Sequence, residues 1–308
     1  MAAPVIGPVP SSARRRLLAH YGEAAGSWTE TAPSLLAEAA RRWKLRLSGY
    51  HDAGHSSVVA VATDPHGEAV LLKAWYEPSR HRDEILALRL WSGGPAAAVM
   101  ETAEDLRVAA MKLVAGRPGG APRPAQETRA AASAIQQLHA IGARQPQTSL
   151  LRLGDHLQNT VLPRVARRSA VLDLGACAPL VRRAVPEIHT LTESLARRTV
   201  LHADLYRDNV LFGADGRAQV IDPHPMAGDA AFDWAFWTVY YQLGQDTFPR
   251  MTVASRMSGI TIPELASWCR AVAVDGLLYY TEAGLPERVA AAKVLHSLMA
   301  PEAARGKA

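Results

Sequence analysis

Eight side chains suited to proton, metal or hydrogen-bond chemistry crowd into one short stretch of the chain: His202, Asp204, Asp208, Asn209, Asp222, His224, Asp229 and Asp233. They are threaded between short apolar runs at 199–201, 209–212 and 218–221, and Ala214-Asp215-Gly216 separates the last two. Extended runs flanking a turn residue cluster predict a hairpin. Carboxylates are rarely buried without partners, so this density of acids among apolar strands demands a fold that gives them work.

The rest of the chain falls into two textures. Before the cluster, 58–62 and 69–75 read as strands around the turn Asp64-Pro65-His66-Gly67, with a turn-rich stretch ahead of them at 47–55. Helical periodicity marks 33–45, with Leu35, Leu36, Ala39, Ala40 and Trp43, and again 79–91, with Ile85, Leu88, Leu90 and Trp91. Two apolar runs follow at 96–100 and 107–114, and glycines and prolines gather at 116–120 as a hinge. Beyond it the pattern is mostly helical: 125–139, 150–168, 178–195, 232–243, 262–273 and 286–299. The chain therefore predicts an α+β fold of two parts, a small sheet-rich lobe over 1–115 and a larger, mainly helical lobe over 116–308. The first dozen residues read as a loose, proline-bearing tail.

Phosphoryl transfer from a nucleoside triphosphate needs a carboxylate to orient the attacking hydroxyl and oxygen ligands for magnesium. An Asp and an Asn five positions apart on one tight loop suit those two roles, and a second Asp after the next hairpin closes the metal site. Asp204, Asn209 and Asp222 stand in that relation. The string HADLYRDNVLF…VIDPHPMAGDAAFDWAFW resembles the aminoglycoside phosphotransferase family, with its H-x-D-x-x-x-x-N loop and downstream I-D-x-x-x-x-x-G-D-x-x-x-D. The IDP-x-P-x-x-GD-x-x-FD form and the early YGEAAGSWTETAPSLLAEAARRWKL segment resemble its streptomycin 6-kinase and hydroxyurea phosphotransferase branch.

That resemblance implies a protein-kinase-like two-lobed fold, with Asp204 as catalytic base and Asn209 and Asp222 as magnesium ligands. His202 and Asp233 would brace the loop, and Asp229 with them. It also implies a strand lysine on the donor phosphates and a helix glutamate to hold it. Lys73, in AVLLKAW, fits the first, and Glu84 the second ahead of Asp83 and Glu77. A solvent-facing lysine on an edge strand is the plainer alternative. Gly54, Ser56 and Ser57 would offer donors to the triphosphate, and the Lys112 carbonyl and Val114 amide would face the purine of ATP or GTP. The segment 49–57 lacks G-x-G-x-x-G.

The acceptor is expected to be a small molecule. A protein kinase is disfavoured: Pro223 follows Asp222, and Asp229 comes too soon for an activation loop. The family implies an antibiotic, an aminoglycoside such as streptomycin, inactivated by phosphorylation of a hydroxyl. From Trp234 onward, however, acids and bases are near balance, which suits a less cationic acceptor such as a capuramycin-type nucleoside. Trp234, Phe236, Trp237, Tyr240, Tyr241, Trp268, Tyr279 and Tyr280 read mostly as core. A catalytically dead, nucleotide-binding pseudokinase would have lost Lys73, Asp204, Asn209 or Asp222, and all are present. The net charge of +5 is scattered, without aromatic interleaving, so no nucleic-acid partner is expected. Cys177 and Cys269 have no metal-type spacing, and no run is apolar enough for a signal peptide or membrane span. A cytoplasmic monomer with free thiols is the resulting expectation.

Overall fold

The computed structural model describes residues 6–52, 56–119, 126–144, 149–194 and 196–300. The chain divides into two compact units, Met1–Ala115 and Gly116–Ala308.

In the first unit two helices, α1 (Ser11–Tyr21) and α2 (Ala25–Arg42), precede β1 (Arg46–His51), β2 (Ser57–Thr63), β3 (Ala69–Trp75), α3 (Pro78–Leu90), β4 (Val99–Ala103) and β5 (Val108–Lys112). The strands form one sheet in the order β1-β2-β3-β5-β4, every pair antiparallel. The β2–β3 turn closes because Asp64 Oδ1 accepts the His66 and Glu68 amides, each at 2.8 Å, while Gly67 adopts φ +90°. Alternation along β3 sends Leu72 and Ala74 to one face of the sheet and Lys73 and Trp75 to the other. On the first face, Leu36, Ala39 and Ala40 of α2 pack with Ala60, Ala62, Leu72, Ala74, Val108 and Ala110. On the second, Trp75 packs with Ile85 of α3 and Ala109. Each large side chain so buried contributes about 1.5–3 kcal/mol.

Three expectations need correcting here. The supposed turn-rich stretch holds a strand: β1 pairs with β2 and absorbs Ser48 by a register shift between Leu47 and Gly49. The helix expected from Pro33 begins at Ala25 and carries Pro33 inside it; buried Trp28, Ala32 and Leu36 hold it through the lost hydrogen bond. The N-terminal tail gives way to helix at Ser11, with Val9, Ala13 and Leu17 buried.

The second unit opens with the short β6 (Arg117–Pro118), then α4 (Gln126–Gly142) and α5 (Leu153–His156), which runs through a π-helical turn at Leu157–Val161 into α6 (Leu162–Val171). After α7 (Ala178–Leu191) come β7 (Arg198–Leu201), β8 (Val210–Phe212), β9 (Ala218–Val220) and β10 (Met226–Asp229), then α8 (Ala231–Tyr240), α9 (Thr247–Ser258), α10 (Ile262–Glu282) and α11 (Glu287–Met299). β8 and β9 form the expected hairpin and β6 pairs with β8, while β7 pairs antiparallel with β10. The long α10 is the hub of the helical layer, packed against α6, α7, α8, α9 and α11. It starts at Thr261, whose hydroxyl accepts the Glu264 amide at 3.4 Å as a helix cap. Among the described residues no helix is long and apolar enough to cross a membrane. Cys177 and Cys269 are free thiols.

Candidate active site

The loop after β7 turns sharply. Ala203 takes φ +57°, a left-handed conformation that a residue with a side chain adopts only under constraint. Asp233, fully buried at the start of α8, supplies it: its carboxylate accepts the His202 amide and the Ala203 amide, each at 2.8 Å. A third contact, 2.9 Å from His139 Nε2, fixes that carboxylate to α4. Asp233 therefore braces the loop from the helix, as the family resemblance implies.

His202 is the second brace. Its Nε2 lies 3.0 Å from the Ile221 carbonyl, and its Nδ1 accepts the Asp204 amide at 3.3 Å. A ring donating from Nε2 and accepting at Nδ1 is neutral. Burial keeps it so, pushing its pKa down to about 4 against the opposing charge of Asp233. The His224 amide then bonds to the His202 carbonyl at 2.8 Å and ties the hairpin to the loop.

Asn209 sits at the other end of the same loop. Its Nδ2 donates to the Asp204 carbonyl at 2.8 Å and to Asp204 Oδ2 at 2.9 Å. The Ile221 amide bonds to the Asn209 carbonyl at 3.0 Å, so Asp222, the next residue, leaves the hairpin beside Asn209. Asp222 also has a left-handed backbone, φ +61°. The three residues that sequence spacing singled out are thus gathered at one end of one hairpin.

Asp229 does something else. Its carboxylate takes two bonds from Arg197, at 3.0 and 3.1 Å, one from Ser194 at 2.6 Å and one from the Ala231 amide at 2.9 Å. It caps α8 and anchors it to the segment ahead of β7, and its bonds do not reach the His202–Asn209 loop. The expectation that it braces that loop is corrected accordingly.

In the first unit Lys73 is buried, only 2% exposed, on the central strand β3. The edge-strand alternative does not hold. Its Nζ bonds to Glu84 Oε1 at 2.6 Å, and the Trp75 indole N–H bonds to Glu84 Oε2 at 2.8 Å. Glu84, 1% exposed, is thus fixed from two neighbouring positions of β3. Ser57 opens β2 with its hydroxyl buried and unpartnered, while the carbonyl of Ser56 accepts the Tyr21 hydroxyl at 3.2 Å. Gly54 lies outside the described residues. Lys112 ends β5, its amide bonded to the Ala98 carbonyl at 2.9 Å, and Val114 lies two residues past the strand.

A cavity of about 240 Å³ opens beside Asp204 within the second unit. Ala203, Asp204 and Tyr206 line it from the loop, Phe232, Phe236 and Tyr240 from α8, and Trp268, Tyr279 and Tyr280 from α10. Five of the aromatics read from sequence as core (Phe236, Tyr240, Trp268, Tyr279 and Tyr280) are therefore cavity wall. Core and pocket both favour buried aromatics, and only the third dimension separates them. Burial pushes the Tyr206 and Tyr240 phenols well above their ordinary range, so both stay neutral. Sequence reasoning also missed Arg164, Asp275 and His156, which line the same cavity from helices lacking any motif.

Comparison with known proteins gives a consistent result. A family described as aminoglycoside/hydroxyurea antibiotic resistance kinase matches residues 42–274. The chain is 30% identical over 287 residues to the hydroxyurea phosphotransferase of Kitasatospora aureofaciens, covering 89% of this chain and 82% of that one. It is 28% identical over 214 residues to the streptomycin 6-kinase of Streptomyces glaucescens, covering 69% and 68%. Among solved structures it resembles an aminoglycoside phosphotransferase, APH(4)-Ia, in ternary complex with AMP-PNP and hygromycin B, with a TM-score of 0.62 at 16% identity, covering 86% and 97%. It also resembles the macrolide 2'-phosphotransferase MphH of Brachybacterium faecium, with a TM-score of 0.58 at 21% identity, covering 89% and 99%. At those identities the structural likeness establishes the kinase-like fold.

Proposed function

Because the chain belongs to the aminoglycoside/hydroxyurea antibiotic resistance kinase family, we propose that it moves the γ-phosphate of ATP to a hydroxyl of a small antibiotic bound in the aromatic cavity beside Asp204, and so inactivates it. One observation carries this reading: the carboxylate held by Asn209 opens onto a mostly apolar cavity of small-molecule size.

Asp204 acts as the base. With Oδ2 fixed by the Asn209 amide, its carboxylate orients the acceptor hydroxyl and takes the proton as the oxygen attacks phosphorus. The Asn209 Nδ2 is committed to Asp204, which turns its Oδ1 into the acceptor end of the amide. Asn209 and Asp222 thus offer the hard oxygen donors that suit magnesium. Such an ion would neutralise charge on the donor's phosphates. Lys73, held by Glu84, serves the α- and β-phosphates, with Ser56 and Ser57 as further donors. The Lys112 carbonyl and the Val114 amide read the purine edge. Backbone contacts of that kind accept ATP or GTP alike. The protein is read as a cytoplasmic monomer without a nucleic-acid partner.

The relatives' names supply streptomycin as the first acceptor, and an aminoglycoside is the leading reading. The aromatic, charge-compensated wall of the cavity favours a second, a less cationic antibiotic such as a nucleoside. Purified protein with magnesium, ATP or GTP, and a panel of streptomycin, hydroxyurea and uracil nucleoside antibiotics tests both. A mass gain of one phosphate on one acceptor is expected, lost on chelation of the metal. Nucleotide binding without transfer to any of them would favour a pseudokinase.

A further inference from the structure

Among the described residues two carboxylates line the cavity, Asp204 and Asp275. The first belongs to the reaction. The second lies on α10 and faces Arg164 of α6, which grips it with two donors on one edge of its guanidinium: Nε donates to Oδ1 at 2.8 Å, and Nη2 donates to Oδ2. A second cation, Arg168, stands 3.6 Å from the same Oδ1 while bonding to Glu282 at 2.7 Å. Arg168 also lies over the Tyr279 ring, 5.6 Å from its centre. The remaining titratable lining groups add no negative charge. His156 has its pKa lowered by burial first and by the Arg164 cation next, and the phenols of Tyr206 and Tyr240 are neutral.

A pocket that receives a polycation needs carboxylates free to meet it, since each ammonium or guanidinium brought from water must be compensated. Here the carboxylate remote from the reaction is already paired with Arg164, and Arg168, bonded to Glu282, stands near it. The aromatic wall offers little to a cation in exchange. Tyr206 and Phe236 meet edge to face at 5.0 Å, and the Tyr279 face is taken by Arg168. Such walls suit a flat, uncharged ring, and Trp268, 1% exposed, lines the cavity with an indole N–H that has no acceptor in the protein.

We propose that the Arg164–Asp275 ion pair is a charge selector for the acceptor, which lowers the cavity's affinity for polycations and admits uncharged, ring-bearing hydroxyl compounds. This rests on the cavity being the acceptor site of the phosphotransferase. Arg164→Gln releases Asp275 and shifts selectivity toward cations. Asp275→Asn leaves Arg164 unopposed and shifts it the other way. The double variant removes both charges and returns near the starting ratio.

The test compares streptomycin with an uncharged uracil nucleoside antibiotic across these variants, using kcat/KM for transfer and calorimetry for binding. The streptomycin-to-nucleoside ratio is expected to rise about fivefold in Arg164→Gln, the size of a partly exposed ion pair, and to fall about fivefold in Asp275→Asn. The change should lie in KM more than in kcat. A general loss of structure moves both acceptors together and leaves the ratio alone, so a ratio within twofold of wild type in both single variants overturns the proposal. If the wild-type protein phosphorylates neither compound, the proposed function fails separately. The binding ratio still decides on the selector: no opposed shift in the two variants overturns it.

Discussion

Asn209 holds Asp204 at two points with a single amide, donating from Nδ2 to the main-chain oxygen at 2.8 Å and to the carboxylate at 2.9 Å. The first bond fixes the loop and the second fixes the side chain, so the proposed base is oriented before any substrate arrives. Pre-set geometry of this kind is where a phosphotransferase gains most, because the reaction asks mainly for positioning. Asp204→Asn is expected to lower kcat by about 10²–10⁴-fold, the range of general-base contributions. The melting temperature should stay near wild type, because Asp233 and His202 carry the loop's main-chain bonds. Transfer assays beside thermal melts check this, and a variant that keeps full activity would sink the assignment.

Lys73 and Glu84 give the second prediction. Both are buried, and removing one takes from the other the partner it meets at 2.6 Å. Glu84→Gln and Lys73→Met should each lower stability by about 3–5 kcal/mol, read by urea unfolding. Combined, they should lose clearly less than the sum, since the contact between them can be lost only once. Both single variants should also weaken nucleotide binding. Additive losses would mean that the 2.6 Å contact does not couple the two residues.

The reach of the sequence can be judged on particular elements. Short apolar runs on either side of a turn placed β2 and β3 closely, because a strand covered on both faces reads as a nearly continuous apolar run. The Lys73–Glu84 contact and the gathering of Asp204, Asn209 and Asp222 could be anticipated because the motifs of the family the chain resembles hold those residue types at set spacings. α9 was not, because Thr247–Ser258 buries only Thr247, Arg250, Met251 and Ala254 and shows no apolar stripe. β1 was hidden by Ser48 and Gly49, turn formers that a bulge accommodates. The cavity wall was hidden for a different reason. Phe236 and Tyr240 obey the same periodicity as a core face, and whether that face meets protein or a void depends on α10. Gly276 illustrates it: a side chain there would collide with the Tyr240 hydroxyl, which bonds to the Val272 carbonyl at 3.0 Å.

His202 predicts a pH dependence with a definite sign. Its folded pKa of about 4 lies below the ordinary 6.5, so between those values the unfolded chain binds a proton that the folded chain refuses. The stabilising effect is complete above pH 6.5 and is lost as pH falls toward 4, an effect of about 3 kcal/mol. His202→Gln, whose side-chain amide can still reach the Ile221 carbonyl, should show a shallower loss over that window. Urea midpoints measured from pH 7 to 4 for both proteins provide the check. Equal slopes would show that the ring is not held neutral.

Arg250 ties stability to acceptor binding. It is 2% exposed, and its guanidinium donates to the Thr238 carbonyl at 3.2 and 3.0 Å, to Gln242 at 3.0 Å and to Gln245 at 2.6 Å. These oxygens are at the C-terminal end of α8 or just beyond it, where a helix runs out of its own donors. Burial lowers the Arg250 pKa to about 10, which still leaves it charged at neutral pH. Arg250→Met should cost about 2–4 kcal/mol by stranding those carbonyls. Because α8 carries Asp233 in its first turn and cavity-lining Phe236 and Tyr240 further along, loosening its far end should raise the acceptor KM more than it lowers kcat. Asp233 still holds the catalytic loop at the near end. A fall in kcat with KM unchanged would mean that the disturbance reaches the loop and not the cavity wall.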